Sequence, residues 1–308
     1  VLDELGQVSL PAGRYTQVRL VLDPNKGNTI ANSVVLSGTT NEIPLDTPSA
    51  VQSGIKLIKG FEVVAGQQAE LVLDFDACKS IVTKGNGGYA LKPVVRIIPS
   101  TVNGIDGYIN KNLLLNRVMV TAQQNGEVVG ATVPDANGKF FLARLEPGNY
   151  DVVITANERA TAVIAKVPVA STTSKVSLST IDKPFDLQTS AVADISGKVT
   201  PSPVSTSDEI ASVAAKQTFA AGPTVTVRYR GVDVSSSNAA YVLEKLPTTA
   251  PQLGQYSTTL PIALTTQTTT TPGTGKYMVE ASLLGYQKQS ATVDVSSANA
   301  TKDFTLTK

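Results

Sequence analysis

The chain has 308 residues, with 26 Lys and Arg against 25 Asp and Glu, one Cys, and neither His nor Trp. A net charge of +1 provides no long-range field, which excludes nucleic acid or an anionic membrane as the main partner. The absence of His removes the commonest general base and metal ligand, and a single Cys excludes a disulfide framework or a Cys-rich zinc site. No apolar run is long enough for a transmembrane segment.

The first hundred residues contain alternating segments typical of half-buried strands. These segments are 15–22 (YTQVRLVL) and 69–76 (AELVLDFD). In the second of them Leu71, Leu73 and Phe75 share one face, which we predict to be buried, because successive side chains of a strand point to opposite faces. The stretch Gly85–Gly88 then separates two further apolar runs, as a β-hairpin loop does.

Strand patterns continue along the rest of the chain. They occur at 117–123, 150–156, 224–230 and 277–282. Asp135–Gly138 separates two runs as a second hairpin loop would. Only 207–217 (SDEIASVAAKQ) has a helical pattern, with Ser207 as N-cap, and we predict one short helix there. The apolar positions predicted to be buried are Leu71, Leu73, Phe75, Val118, Val120, Tyr150, Val152, Ile154, Val225, Val227, Tyr277 and Val279.

An internal repeat relates residues 105–189 to residues 195–307. The alignment pairs Gly107 with Gly197, Val118 with Val225, and Tyr150 with Tyr277. In this alignment the second copy carries two insertions, of which the first contains the predicted helix and the second the Thr-rich stretch 265–273.

These patterns predict an all-β fold of three consecutive β-sandwich modules, immunoglobulin-like or transthyretin-like, with at most one or two short helices. The predicted limits are 1–99, 100–190 and 191–308. The first module would be a surface-protein β domain, the second a sandwich of the repeat type, and the third a copy of it that bears the insertions.

Two family resemblances follow from these motifs. The openings IDGYIN and ISGKVT, the steps LEPGNY and PGTGKY, and the closing KPFDLQT and KDFTLT resemble carboxypeptidase-regulatory-like, transthyretin-like sandwiches. The stretches LPAGRYTQVRLVL, QSGIKLIKGFEV, LVLDFDACKSIV and GYALKPVVRIIP resemble an uncharacterised family of bacterial, often lipid-anchored, surface proteins. Members of that family carry strands upstream of LPAGRY, so this resemblance implies a first module that lacks them. It also implies an extracellular or cell-surface location, but no activity.

Several polar residues could form sites, although each has an ordinary structural interpretation. The candidate Ca²⁺ ligands are Asp74, Asp76, Asp135 and Asn137. The first two are neighbours on one strand face, and the last two resemble the opening of a calcium loop. We interpret the first pair as solvent-facing and the second as turn residues. We likewise interpret Arg228 and Arg230, which share a strand face, as a solvated surface. No cofactor is expected.

No constellation with catalytic chemistry is present in the sequence, so we predict that the protein is not an enzyme. The favoured hypothesis is an extracellular structural protein, a subunit of a cell-surface fibre. The alternative is a monomeric or lipid-anchored binding module that acts in adhesion or recognises a polysaccharide.

The structural hypothesis predicts assembly by β-strand complementation. A sandwich that lacks a strand exposes unpaired backbone groups, which an extended segment of a neighbour can pair with. The donor candidates are the first residues, the Thr-rich insertion 255–271 and the C-terminal strand. The interface candidates are Val1, Leu2, Leu5, Val8, Phe304 and Leu306. Such head-to-tail contact does not close, so the predicted partner is the chain itself, in a homopolymer.

Overall fold

The computed structural model describes most of the chain, in several ranges. They are 8–27, 29–36, 39–47, 51, 54–57, 60–63, 71–84, 88–98, 103–171, 173–204, 210–235 and 239–308. Over these ranges the protein is all-β, as predicted, and its strands form several small sheets. The helices of this part of the chain include a single turn, α1 (Ala77–Ser80), and a 3₁₀ helix (Lys111–Asn116). No helix in the described ranges combines the length and the apolar character of a membrane span.

The first segment forms short strands in small sheets. They are β1 (Gly13–Tyr15), β2 (Val18–Leu20), β3 (Ser33–Val35), β4 (Glu42–Asp46), β5 (Ile55–Leu57), β6 (Phe61–Val63), β7 (Val72–Phe75), β8 (Ile81–Thr83), β9 (Tyr89–Leu91) and β10 (Val95–Ile98). Three sheets are two-stranded, β1–β6, β2–β5 and β7–β10, and one has the order β3-β4-β9-β8. The antiparallel pair β8–β9 confirms the first predicted hairpin, whose loop residues 85–87 lie outside the described ranges.

The second segment is a two-layered sandwich. Its strands are β11 (Gly104–Tyr108), β12 (Met119–Gln124), β13 (Glu127–Thr132), β14 (Lys139–Ala143), β15 (Gly148–Thr155), β16 (Ala162–Val169) and β17 (Lys175–Ser177). One sheet has the order β14-β11-β17, and the other begins β13-β12-β15-β16. Since β13 and β14 belong to different sheets, the turn Asp135–Gly138 links the two layers. The prediction of a hairpin at this turn was wrong, although the turn itself is present.

The third segment repeats this plan with more strands. They are β18 (Val192–Ser202), β19 (Ile210–Phe219), β20 (Thr224–Asp233), β21 (Ala240–Pro247), β22 (Gln252–Gln255), β23 (Thr265–Thr266), β24 (Thr270–Thr271), β25 (Lys276–Ser282), β26 (Gln289–Asp294), β27 (Ala300–Thr301) and β28 (Phe304–Thr307). Strand β18 pairs antiparallel with β21 and parallel with β27 and β28, and the facing sheet has the order β20-β19-β25-β26. The limits of the three modules stay predictions.

The position of β19 corrects both the predicted helix and the repeat alignment. The order β20-β19-β25-β26 corresponds to β13-β12-β15-β16, so the counterpart of β12 is β19, and β20 corresponds to β13. The pairing of Val118 with Val225 was therefore wrong. Residues 210–219 form a strand because β20 and β25 take up hydrogen bonds on both of its edges. Tertiary pairing outweighs the helical preference of its Ala, Lys and Gln residues.

The cores of the second and third segments form as the alternation predicts. The predicted positions that are buried are Val118, Val120, Tyr150, Val152, Ile154, Val225, Val227, Tyr277 and Val279. The prediction for β7 was wrong at Phe75, which is 46% exposed, whereas Val72 on the opposite face is buried. Leu71 and Leu73 are half-buried. In the described structure one face of the β7–β10 ribbon is therefore covered at Val72, while the other is open at Phe75.

The second and third segments share strands and core. Strand β22 adds parallel to β16, so the insertion of the third segment extends the sheet of the second. Ile262 from the same insertion packs into the second core. In return, Val153, Val163 and Ala165 on β15 and β16 pack into the core of the third segment. Both faces of this sheet are thus covered, and the two segments form one continuous body.

The first segment contacts the third at the end of β20. The Lys92 ammonium lies 2.9 Å from the Asp233 carboxylate, and both side chains are largely buried. The Lys79 ammonium lies over the ring of Tyr229, 5.3 Å from its centroid. Because the ion pair is shielded from solvent, removing the charge of one partner would leave the other largely buried and unpaired, which is unfavourable.

Acid should weaken this contact. Burial by itself raises the pKa of the Asp233 carboxyl, but hydrogen bonds from Ser235 and Lys92 outweigh it and hold the pKa below the ordinary 3.8. A group with a depressed folded pKa contributes stability above its unfolded pKa and loses it as the pH falls. We expect the free energy of unfolding, measured with urea, to fall as the pH drops below about 4. In Asp233→Asn the fall should be shallower. An equally steep fall in that variant would contradict this role for Asp233.

Candidate association surface

Two of the candidate calcium ligands, Asp76 and Asp135, accept backbone hydrogen bonds that stabilise a helix end and a turn. The Asp76 side chain caps α1, where its Oδ1 accepts a hydrogen bond from the Lys79 backbone N–H at 3.1 Å. It is half-buried at the end of β7, which corrects the expectation of a solvent-facing strand residue, and Asp74 is half-buried on β7 itself. Oδ1 of Asp135 accepts from the backbone N–H groups of Asn137 and Lys139 at 2.8 and 2.9 Å, as in an Asx-turn. Across the described ranges no group of three or more acidic or Cys side chains is arranged to hold a metal ion.

The C-terminal strand is built into its own chain. Strand β28 pairs parallel with β18, and Phe304 and Leu306 are buried in the core of the third segment. The Thr-rich insertion is also paired, through β22, β23 and β24. Neither segment is loosely held, whereas a donor strand has to be free to pair with a neighbouring copy. Val1, Leu2 and Leu5 lie outside the described ranges.

The stretch before β1 has the features of a donor. Residues 8–11 belong to no strand. Val8 is 79% exposed, and Leu10, two residues on, is also exposed. In an extended chain, side chains two apart project to the same side. This stretch therefore presents a short row of apolar side chains to solvent.

The rest of the first segment, where it is described, exposes several large apolar side chains. Its described part buries few apolar residues, namely Leu45, Leu57, Val72, Val82 and Ala90. Large apolar side chains that it exposes, besides Val8 and Leu10, are Val21, Ile30, Val35, Leu36 and Phe75. Among its described residues, three sheets have two strands each, and such ribbons are marginally stable without further partners. Exposed apolar side chains beside short sheet edges are typical of an interaction surface.

Charge does not oppose association here. The protein as a whole has a net charge of +1, so copies do not repel one another strongly.

The sequence predicted this surface only in part. Val8 belongs to the predicted interface, whereas the exposure of Phe75 depends on which strands pair with β7 and was missed.

Residues 1–93 match the model of a family described as "Domain of unknown function (DUF4382)". The match covers the first segment and leaves the second and third segments unmatched. Among curated proteins, no sequence matches the chain.

Several solved structures are distantly similar. A type II cohesin–X-dockerin complex from Acetivibrio cellulolyticus matches at 27% identity with a TM-score of 0.24, over 29% of this chain and 58% of the other. The streptococcal ancillary pilin matches at 11% identity with a TM-score of 0.22, over 97% of this chain and 76% of the pilin. A putative adhesin from Bacteroides ovatus matches at 11% identity with a TM-score of 0.23, over 64% and 84%. The chain thus spans little more than half of the cohesin-complex chain, and at these TM-scores no shared architecture is established.

Proposed function

We propose that this protein is a non-enzymatic structural component of the cell surface, whose copies associate head-to-tail through strand addition at the first segment. The observation that carries the proposal is the exposure of Val8, Leu10 and Phe75, with other apolar side chains of the described part of the first segment, whose sheets include two-stranded ribbons. Removing such side chains from water contributes roughly 25 cal/mol for each Å² buried.

The donor in this proposal is the stretch around Val8 and Leu10 of one copy, and the acceptor is a ribbon edge in the first segment of the next. Strand addition obtains affinity from main-chain hydrogen bonds and register from alternate side chains. The chain already uses this kind of contact internally, where β22 extends the sheet of the second segment. Because donor and acceptor are different surfaces, each added copy presents a new donor, and the assembly grows as a filament.

The continuous body formed by the second and third segments suits a structural role, since it gives each subunit a large, firmly packed part beside the associating first segment. Strands and core residues are exchanged across the junction. The side-chain amide of Gln123 also exchanges two 2.8 Å hydrogen bonds with the backbone of Thr226. Such a junction holds the second and third segments together as one unit of the subunit.

The double variant Val8→Ser/Leu10→Ser tests the donor. We expect the weight-average sedimentation coefficient of the unchanged protein to rise with concentration, and that of the variant to stay near the monomer value. Association is lost because the serine side chains, unlike those of Val8 and Leu10, gain little free energy when they are removed from water.

The matched control is Leu115→Ser/Leu284→Ser. Leu115 is 95% exposed and Leu284 is also exposed, but they lie on the second and third segments. This control should associate as the unchanged protein does. Equal association of all three proteins, or no association of any, would overturn the proposal.

A further inference from the structure

A groove on the second segment leads to the junction of the second and third segments, away from the association surface. Its open part has a volume of about 420 Å³ and is lined mainly by apolar side chains, among them Leu114, Met119, Val133 and Pro134. Its inner part is a pocket of about 200 Å³. Arg117 and Met119 line both parts, so the two are continuous. A site of this size at a junction between segments is typical of small-molecule binding.

The inner pocket is also mainly apolar, but two arginines give it a positive charge. It lies where the end of β15 meets β20, and its lining includes Arg117, Thr155, Asn157 and Arg228. Neither arginine is ion-paired with any residue of the described ranges. Arg228 is half-buried, which corrects the expectation that it belongs to a solvated surface. A cation that is partly removed from water without a counter-ion is unfavourable, and an anion in the pocket would relieve that cost.

The hydrogen bonds of Arg228 fix its guanidinium without neutralising it. Its Nε, Nη1 and Nη2 donate to the backbone carbonyls of Glu244, Val227 and Lys245, at 3.2, 3.1 and 3.4 Å. These acceptors carry no net charge, and N–H groups remain on both Nη atoms. Burial lowers the pKa of this guanidinium, and nearby Tyr277 opposes the shift. A pre-oriented guanidinium of this kind suits a planar carboxylate.

Asp135, the acidic residue of the lining, stands in the open part of the groove. Its Oδ1 is already engaged by the two backbone N–H groups of its turn. The groove therefore offers an apolar channel whose inner end carries uncompensated positive charge.

We propose that this groove binds a small amphiphilic carboxylate, with its apolar body against Leu114, Met119 and Val133 and its carboxylate at Arg117 and Arg228. The apolar channel supplies burial of hydrocarbon, and the arginines supply orientation and selectivity for the anionic end. This site is independent of the proposed self-association, since its residues lie on the second and third segments.

Titration calorimetry of the full chain with octanoate tests the site. We expect octanoate to bind, and 1-octanol, which has the same chain without the charge, to bind about tenfold more weakly. Sodium sulfate, which lacks the apolar body, should also bind more weakly than octanoate. Absence of octanoate binding, equal affinity for 1-octanol, or equal affinity for sulfate would each overturn the proposal.

Arginine variants locate the bound carboxylate. Arg117→Gln and Arg228→Gln should each weaken octanoate binding about tenfold. Arg117 makes no side-chain hydrogen bond within the described ranges, so we expect Arg117→Gln to retain the fold. Its affinity for octanoate therefore tests the site even if Arg228→Gln unfolds. The matched control is Arg230→Gln, which removes an exposed charge from the same strand outside the groove and should bind octanoate like the unchanged protein. Unaltered affinity in Arg117→Gln would refute the assignment.

Discussion

Gly197→Ala should destabilise the third segment by about 3 kcal/mol, at the upper end of the range for overpacking. A Cβ at this position would overlap the carbonyl oxygen of Lys302 and also approach the Tyr241 ring. The obstacle is backbone rather than the end of a flexible side chain, so β18 would have to separate from the chain that leads into β28. Since Phe304 and Leu306 on β28 are buried, their packing would be disturbed as well.

Chemical denaturation followed by circular dichroism measures this effect. The control is Gly60→Ala, because among the described residues a Cβ at Gly60 would meet the Tyr15 carbonyl oxygen alone, at an ordinary contact distance of 3.5 Å. That variant should change the free energy of unfolding by less than about 1 kcal/mol. If Gly197→Ala proved as mild as the control, the close pairing of β18 with the C-terminal strands would be refuted.

Lys216→Met should cost about 3 kcal/mol, as is typical when one partner of a buried ion pair is removed. The Lys216 side chain is 8% exposed, and its Nζ lies 2.6 Å from Glu127 and 2.9 Å from Glu280. Burial lowers the pKa of Lys216, but hydrogen bonds and charge from the two glutamates outweigh this and raise it overall. The contact with Glu127 links the third segment to the second, so the substitution weakens their junction. Glu280 keeps an exposed partner in Lys288, which limits the loss.

Lys276→Met is the control for this substitution. Lys276 lies on the neighbouring strand β25 and pairs with Asp294 at 2.8 Å, but both side chains are more than two-fifths exposed. Solvent screens such a pair, so its removal should change the free energy of unfolding by less than about 1 kcal/mol. Urea denaturation of both variants measures the difference. Equal losses would show that Lys216 is not a buried cation at the junction.

Alternation along the chain was sufficient to predict the all-β fold and most of the core. Val152 and Ile154 are buried because a strand with one apolar face specifies its own burial. The segment 210–219 was predicted wrongly because its partners β20 and β25 are distant in sequence, and local propensity carries no information about them. Strand β22 (QLGQ) has almost no strand signal and forms because the edge of β16 accepts it.

The surfaces were less predictable than the cores. The exposure of Phe75 depends on which parts of the chain pack against its face of β7, which no short pattern encodes. The groove combines Arg117, Thr155 and Arg228, which come together only when β15 packs beside β20. The sequence showed Arg228 and Arg230 on one strand face. It could not show that Arg228 would lie at the junction of the second and third segments.

Electron microscopy of the concentrated protein tests head-to-tail self-association, the central claim, most directly. Contact between unlike surfaces predicts open-ended filaments, in which each subunit contacts the next through its first segment. The filaments should disappear in Val8→Ser/Leu10→Ser and persist in Leu115→Ser/Leu284→Ser. Isolated monomers at every concentration, or closed dimers related by a two-fold axis, would contradict the account.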